Sequence, residues 1–261
     1  MTARSSRTWT FRLIAGLGAA FLAGLALHGP IAQDPAYHAF ADARRLLGVP
    51  NFWNVASNAS FVIAGVLGLT ALRRPGATGV LSGLRPAYLT FFGAAILVGL
   101  GSGYYHLTPD NRTLVLDRLP MTLGFMAFVV IVWGEHVDAG VARRLLLPLC
   151  ALGVGSVLYW VASESSGYGD LRPYIAVQFL PMLLIPVILL RLPSIFPTTR
   201  PLWFVLAWYA LAKTFEILDV AVYDAGHLVS GHTLKHVAAA CGIASMVPAM
   251  RRHAREKKIG D

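Results

Sequence analysis

Charge is what this sequence has least of. Charged residues fill 13% of its 261 positions, where about 25% is usual for a soluble domain. Acidic residues are scarcer than basic ones, 13 against 22. Cysteine is nearly missing as well. Cys150 and Cys241 both fall within apolar stretches, so the pair reads as small core residues and no disulfide framework follows. Internal repeats are absent, and no linker is long enough to split the C-terminal seven apolar runs into separate domains. Those absences exclude a soluble globular enzyme, a small secreted disulfide scaffold and a solenoid.

What is present is hydrocarbon. Eight apolar runs occupy roughly 9–28, 52–72, 86–106, 115–134, 145–162, 174–191, 202–220 and 231–250. At about 17–22 residues each, they are long enough to cross a bilayer as helices. Short connections rich in Pro, Gly and charge separate them, as in Arg73-Arg74-Pro75-Gly76. Pro120, Pro148, Pro181, Pro186 and Pro248 fall inside runs, which neighbouring helices can accommodate. The fold expected is an all-α integral membrane protein: a seven-transmembrane-helix bundle preceded by one extra N-terminal apolar helix. The expected organisation is an anchor or signal segment with an extracytoplasmic linker over 1–50, a seven-helix domain over 51–250 and a basic tail over 251–261. Basic Arg4, Arg7 and Arg12, the first run and the small residues near Ala32 also resemble a cleaved signal peptide. The run is long for a signal core, which favours a retained anchor.

The net charge of +9 invites a nucleic-acid partner, but the placement of the charges argues against one. With the N-terminus in the cytoplasm and the runs alternating, Arg73, Arg74, Arg85, Arg143, Arg144, Arg191, Arg200 and the basic tail join the N-terminal arginines on one side. Arg44, Arg45, Arg112, Arg118 and Arg172 are left on the other. That is the positive-inside pattern, and it accounts for the basic balance through a membrane alone.

Against this background a few polar residues stand out, because ionisable groups within membrane segments cost roughly 2.5–3.5 kcal/mol each on insertion scales. His232 and His236 open the last run four residues apart, so they share a helix face and can converge on one metal ion. His106 ends the third run, and alternation puts that end on the same outer side. Three imidazoles fill three positions of tetrahedral zinc and leave the fourth open, as in catalytic sites. A histidine at a membrane end can also sit in the interface and bond to water, and two on one face weaken that reading. Ser102 lies one turn before His106. It serves either close helix packing between Gly101 and Gly103 or donation to a developing oxyanion. Asp117 is either a helix-start carboxylate or a partner of Arg118, or a general base and acid beside the metal. Lys213, Glu216 and Asp219 read as an intramembrane ion pair with a helix-end carboxylate, able to orient a ligand histidine. His28, His38, Asp110, Asp224 and His227 are expected to be solvated, and Trp9, Trp53, Trp133, Trp160 and Trp203 to anchor run ends at the interface.

Taken in order, these residues resemble the alkaline ceramidase family, within the superfamily of seven-helix membrane hydrolases that includes adiponectin-receptor-like proteins. Asn51-Phe52-Trp53-Asn54 with Ser57-Asn58 looks like the motif opening the first family helix. Ser102, His106 and Asp117 look like its serine, zinc histidine and aspartate, and Ser230-Gly231-His232 through His236 like its final histidine pair. The resemblance spans about residues 50–250. It implies zinc on His106, His232 and His236, proton handling by Asp117 and a supporting role for Ser102. It also implies hydrolysis of the N-acyl amide of ceramide or a related lipid to a sphingoid base (or amine) and a fatty acid. Two departures stand out. Eukaryotic members carry acidic residues before Phe-Trp-Asn that bind calcium, whereas Asn51 stands here and residues 44–50 offer no acid. Asp34 and Asp42 are poorly spaced substitutes, so calcium is not expected. The N-terminal run is also extra to the seven-helix core. The lack of the calcium cluster and of retrieval signals points to a bacterial inner membrane, with both termini cytoplasmic and the site on the extracytoplasmic side. The competing readings are a receptor with structural zinc, and a transporter using Asp117, Glu216 and Lys213. The transporter would call for repeat symmetry and broken helices.

Overall fold

A computed structural model describes residues 3–73, 82–248 and 250. The loop arginine Arg74 and the basic tail 251–261 lie outside the described residues. Within them the chain is all-α, with no strand. The helices are α1 (Ala3–His28), α2 (Phe52–Ser57), α3 (Ala59–Arg73), α4 (Arg85–Leu107), α5 (Asn111–His136), α6 (Ala139–Ser165), α7 (Arg172–Arg191), α8 (Arg200–Ile217), α9 (Asp219–Gly226) and α10 (Gly231–Ala244).

Local sequence explains where these helices begin. Arg-Pro opens α4, α7 and α8, and proline is preorganised for the first helical turn, where an N–H would be orphaned anyway. Asp110 and Thr113 form a reciprocal capping box at the start of α5. The Asp138 and Ser230 side chains accept backbone amides at the starts of α6 and α10. Pro120, Pro148, Pro181 and Pro186 lie inside α5, α6 and α7 without ending them.

Among the described residues, six helices are long and apolar enough to cross a membrane, judged by length and composition: α1, α2–α3 taken together, α4, α5, α6 and α7. The sequence suggested eight. The last two expected spans fall short of this criterion among the described residues for a physical reason. The α8 run stops at Ile217, and α10 has 14 residues. Lys213, Glu216, His232, Lys235 and His236 dilute their apolar content. These two helices pack against one another, and α10 also lies against α3. Exposed leucines such as Leu100, Leu147, Leu158 and Leu190 lie on the outside of the bundle.

Buried apolar residues form a large cluster that includes Phe91, Phe92, Phe128 and Ile131. A smaller one holds Tyr105, Leu114, Trp160 and Tyr174. Trp160 is therefore core, 1% exposed, and not the interfacial anchor its place near a run end suggested. Trp9 and Trp53 are exposed.

Two glycines set how closely the helices around His106 and His232 can approach. A Cβ on Gly101 would stand 2.1 Å from the Leu116 carbonyl oxygen on α5, and one on Gly231 would stand 2.2 Å from the Phe215 carbonyl on α8. The obstacles are backbone, so a side chain could be admitted only by moving a helix. Gly101→Ala is therefore expected to destabilise the protein by about 1–3 kcal/mol through overpacking. Gly155→Ala, whose Cβ would meet nothing within 4 Å, is the control. Thermal unfolding in detergent compares the two, and equal melting temperatures would contradict the tight α4–α5 crossing.

Candidate metal centre

The end of α4, the start of α10 and the short helix α2 meet at one point. His106, His232 and His236 are all buried there, and their ligand nitrogens lie within 4.8 Å of one another. Ring centroids are separated by 4.8 Å for His106–His232 and by 5.0 Å for each of the other two pairs. The Nε2 atoms of His106 and His232 are 3.3 Å apart. Two nitrogens bound about 2.0–2.1 Å from one tetrahedral zinc ion stand roughly 3.3–3.4 Å apart by trigonometry. The spacing of this pair and the all-imidazole donor set are thus compatible with a metal ion such as zinc.

The support for this triad comes from a segment that the sequence marked only as a family motif. Asn51 donates its side-chain amide to the His106 carbonyl at 2.9 Å. Asn54, fully buried, accepts from the Thr233 hydroxyl at 2.8 Å. The Ser57 hydroxyl lies 2.8 Å from His236 Nδ1, which leaves Nε2 of that ring free to face a metal. Asp219 accepts the His232 backbone amide at 2.6 Å and the Ala41 amide at 3.0 Å. A carboxylate that the sequence placed at a helix end therefore holds the start of α10. Nδ1 of His106 is buried without a hydrogen-bond partner.

The linker between α1 and α2 lies over the three rings. Phe40 packs edge-on against His106 and His232, with centroids 4.7 and 4.6 Å away. His38, expected to be solvated, is half-buried, with Nδ1 2.9 Å from the Tyr105 hydroxyl and Nε2 3.0 Å from Asn111 Oδ1. His28, Asp110, Asp224 and His227 are exposed as expected. The linker is tied at both ends. The Ile31 and Gln33 amides donate to Asp170 and Glu164, and Leu171 N–H donates to the Ile31 carbonyl at 2.7 Å. Asp42 is held by the Arg44 guanidinium through two hydrogen bonds, at 2.8 and 2.7 Å. That contact keeps its carboxyl below the usual range. Burial, with Glu216 beside it, raises the Tyr37 phenol.

Beside the histidines lies a cavity of about 400 Å³. Ser102, Asp117, Glu216, Lys235 and His236 line its polar part, and Phe61, Phe91, Phe125, Phe128, Met182 and Ile243 its apolar remainder. Ser102 and Asp117 are both buried, and the hydroxyl is close enough to act on the carboxylate. Asp117 is not a helix-start carboxylate, because Asp110 fills that role. Nor does it form an ion pair with Arg118, whose guanidinium instead donates to Gln33 at 2.5 Å and lies over Trp160, 4.4 Å from the ring centre. Glu216 pairs with Lys213 and, at 2.8 Å, with Lys235. The structure thus brings the three histidines to one point and places Ser102 and Asp117 in the cavity that His236 also lines. The roles of Ser57, Asn51, Asn54 and Phe40 were not legible. Only the recurrence of Asn and Ser over 51–58 hinted at buried hydrogen bonding.

A family model described as Ceramidase matches residues 48–195. The match takes in the Asn51–Asn58 segment, Ser102, His106 and Asp117, and it ends before the histidine pair of α10. No curated protein matches the chain.

The linker's attachment can be tested through pH. The Arg172 guanidinium bonds the Asp170 carboxylate and holds it at about 2. Because the folded value lies below the unfolded one of about 3.9, the contact stabilises the fold fully above pH ~4 and is lost as pH falls toward ~2. Asp170→Asn should melt lower than the parent at pH 7, and the gap should close between about pH 4 and pH 2. A gap independent of pH would show that the carboxylate's charge is not what holds the linker.

Proposed function

The chain belongs to the ceramidase family, and we propose that it is a zinc-dependent intramembrane amidase that hydrolyses the N-acyl amide of ceramide or a related lipid. The observation that carries this reading is the triad of buried histidines, one of which, His236, lines the polar part of an otherwise apolar cavity. About 400 Å³ falls within the range of small-molecule sites. The division of the lining suits a lipid whose amide meets the polar groups while a chain rests among phenylalanines.

His106, His232 and His236 hold the metal. A zinc ion on three imidazoles supplies a Lewis acid and activates water near neutral pH. The remaining steps fall to the chain's own residues. Asp117 takes a proton from the attacking water and returns one to the departing amine nitrogen, so that the amine leaves neutral. Ser102 donates its hydroxyl toward the amide oxygen as negative charge develops there. Ser57 orients His236, and Asp219 fixes the start of α10, so both act by positioning. Phe40 shields two of the imidazoles from bulk water.

Calcium has no part in this proposal, and the support is local. Asp42 is occupied by Arg44, and Asn51 is committed to the His106 carbonyl. The proposed arrangement is a bundle over 51–250 behind an anchor helix and linker. It would sit in a bacterial inner membrane with the termini cytoplasmic and the histidines toward the extracytoplasmic face. The basic residues of the sequence support that orientation. The reading as a receptor with structural zinc has less behind it, because a buried carboxylate and hydroxyl share the cavity with His236.

Two variants test the assignment. Asp117→Asn should reduce turnover of N-acyl lipids by about 10²–10⁴-fold while the purified protein keeps its zinc. Activity within a few-fold of the parent would remove Asp117 from the chemistry, and loss of zinc would make it structural. Ser57→Ala should weaken zinc affinity by about 10–100-fold, measured by competition with a chelator. Unchanged affinity would mean that the hydroxyl does not orient His236.

A further inference from the structure

Arg118 has no assigned task in the chemistry above, yet its setting is costly. It is 5% exposed, and its Nη1 is buried with no hydrogen-bond partner. It forms no salt bridge with a carboxylate among the described residues. Its Nη2 donates to the Gln33 side chain, and the guanidinium lies 4.4 Å from the Trp160 ring centre and 4.8 Å from that of Tyr174. Gln33 belongs to the linker, Trp160 to α6 and Tyr174 to α7, so its partners come from neither α4 nor α10, which carry the histidines. Arg118 nevertheless lines the same cavity.

A guanidinium withdrawn from water without a directly bonded counter-ion carries a large desolvation penalty, and aromatic faces offset only part of it. The nearby charges do not supply the missing anion. Glu216 is taken by two lysines, Asp117 lies within electrostatic reach of Arg118 and of Ser102 but forms no salt bridge with the guanidinium among the described residues, and Asp34 is exposed and caps its own turn. We propose that Arg118 binds an anionic substituent, a phosphate or carboxylate, on the amine half of the lipid substrate. The acyl carbonyl must reach Ser102 and His236, so the group left to meet the linker, α6 and α7 is the substituent across the amide nitrogen. A guanidinium fork suits such an oxyanion through paired, charge-assisted hydrogen bonds. The substrate class narrows accordingly, from N-acyl lipids in general to acidic ones. This inference rests on the amidase reading for its substrate frame, and its test also works without turnover.

The experiment pairs ceramide with ceramide 1-phosphate as substrates, and pairs their N-alkyl analogues, which cannot be hydrolysed, as ligands. Zinc-loaded full-length protein in nanodiscs is used for the parent, Arg118→Gln and Arg118→Lys. The parent should favour the phosphorylated member of each pair. Arg118→Gln should cut that preference by about tenfold to a hundredfold, and Arg118→Lys, which keeps the charge without the fork, should fall between. Equal handling of both members by the parent overturns the proposal, and this comparison stands even if a variant fails to fold. So does a preference that survives in Arg118→Gln, or a loss confined to the binding of free fatty acid. If neither lipid is cleaved but the analogues show the Arg118-dependent preference, the amidase reading fails and the anion site stands.

Discussion

Three imidazoles buried at one point depend on hydrogen bonds to polar groups delivered by a six-residue helix, α2. Asn51 reaches the carbonyl of His106, Asn54 the hydroxyl of Thr233 and Ser57 the ring of His236. Without them the ends of α4 and α10 would bring unsatisfied groups together in a dry setting, at about 1–3 kcal/mol for each group left unpaired. With them, two helices more than a hundred residues apart in sequence share one register. The glycine crossings serve the same end. Gly101 lets α5 approach α4, bringing Asp117 near Ser102, and Gly231 lets α10 settle on α8.

The linker gives this centre its outer wall. Phe40 sits on two of the rings, and the segment is pinned to Asp170, Glu164 and Asp219. Glu164 and Asp170 lie at the α6–α7 connection and Asp219 at the start of α9, so the wall depends on both regions being in place. Chemistry and enclosure are thereby coupled. Asp219 holds both the start of α10, through His232, and the linker, through Ala41. The polar part of the cavity stays rich in ionisable groups while its remainder is hydrocarbon, a division that matches a lipid lying with one end at the polar groups.

Much of this was legible in the sequence, and the reasons are physical. Apolar runs reveal helices because a bilayer-length helix must be apolar along its length. The His232–His236 pair is visible because helical periodicity alone puts the two on one face. His106 joins them once the runs alternate. Other features were hidden because their partners are remote. Phe40 is an ordinary aromatic until the linker folds back, and Ser57 meets His236 across 179 positions. Arg118 looked like a natural partner for the adjacent Asp117, but successive helical residues point about 100° apart, and Gln33 with Trp160 captured it. The apolar content of the last two runs is diluted, because Lys213, Glu216, His232, Lys235 and His236 lie within them.

The most direct test of the central claim is X-ray absorption at the zinc edge on the purified full-length protein. Three imidazole nitrogens and a lighter oxygen ligand at about 2.0–2.1 Å are expected, with the imidazole signal reduced in His236→Ala. Sulfur ligands at about 2.3 Å, or protein that binds no zinc from a buffered supply, would contradict the account at its root.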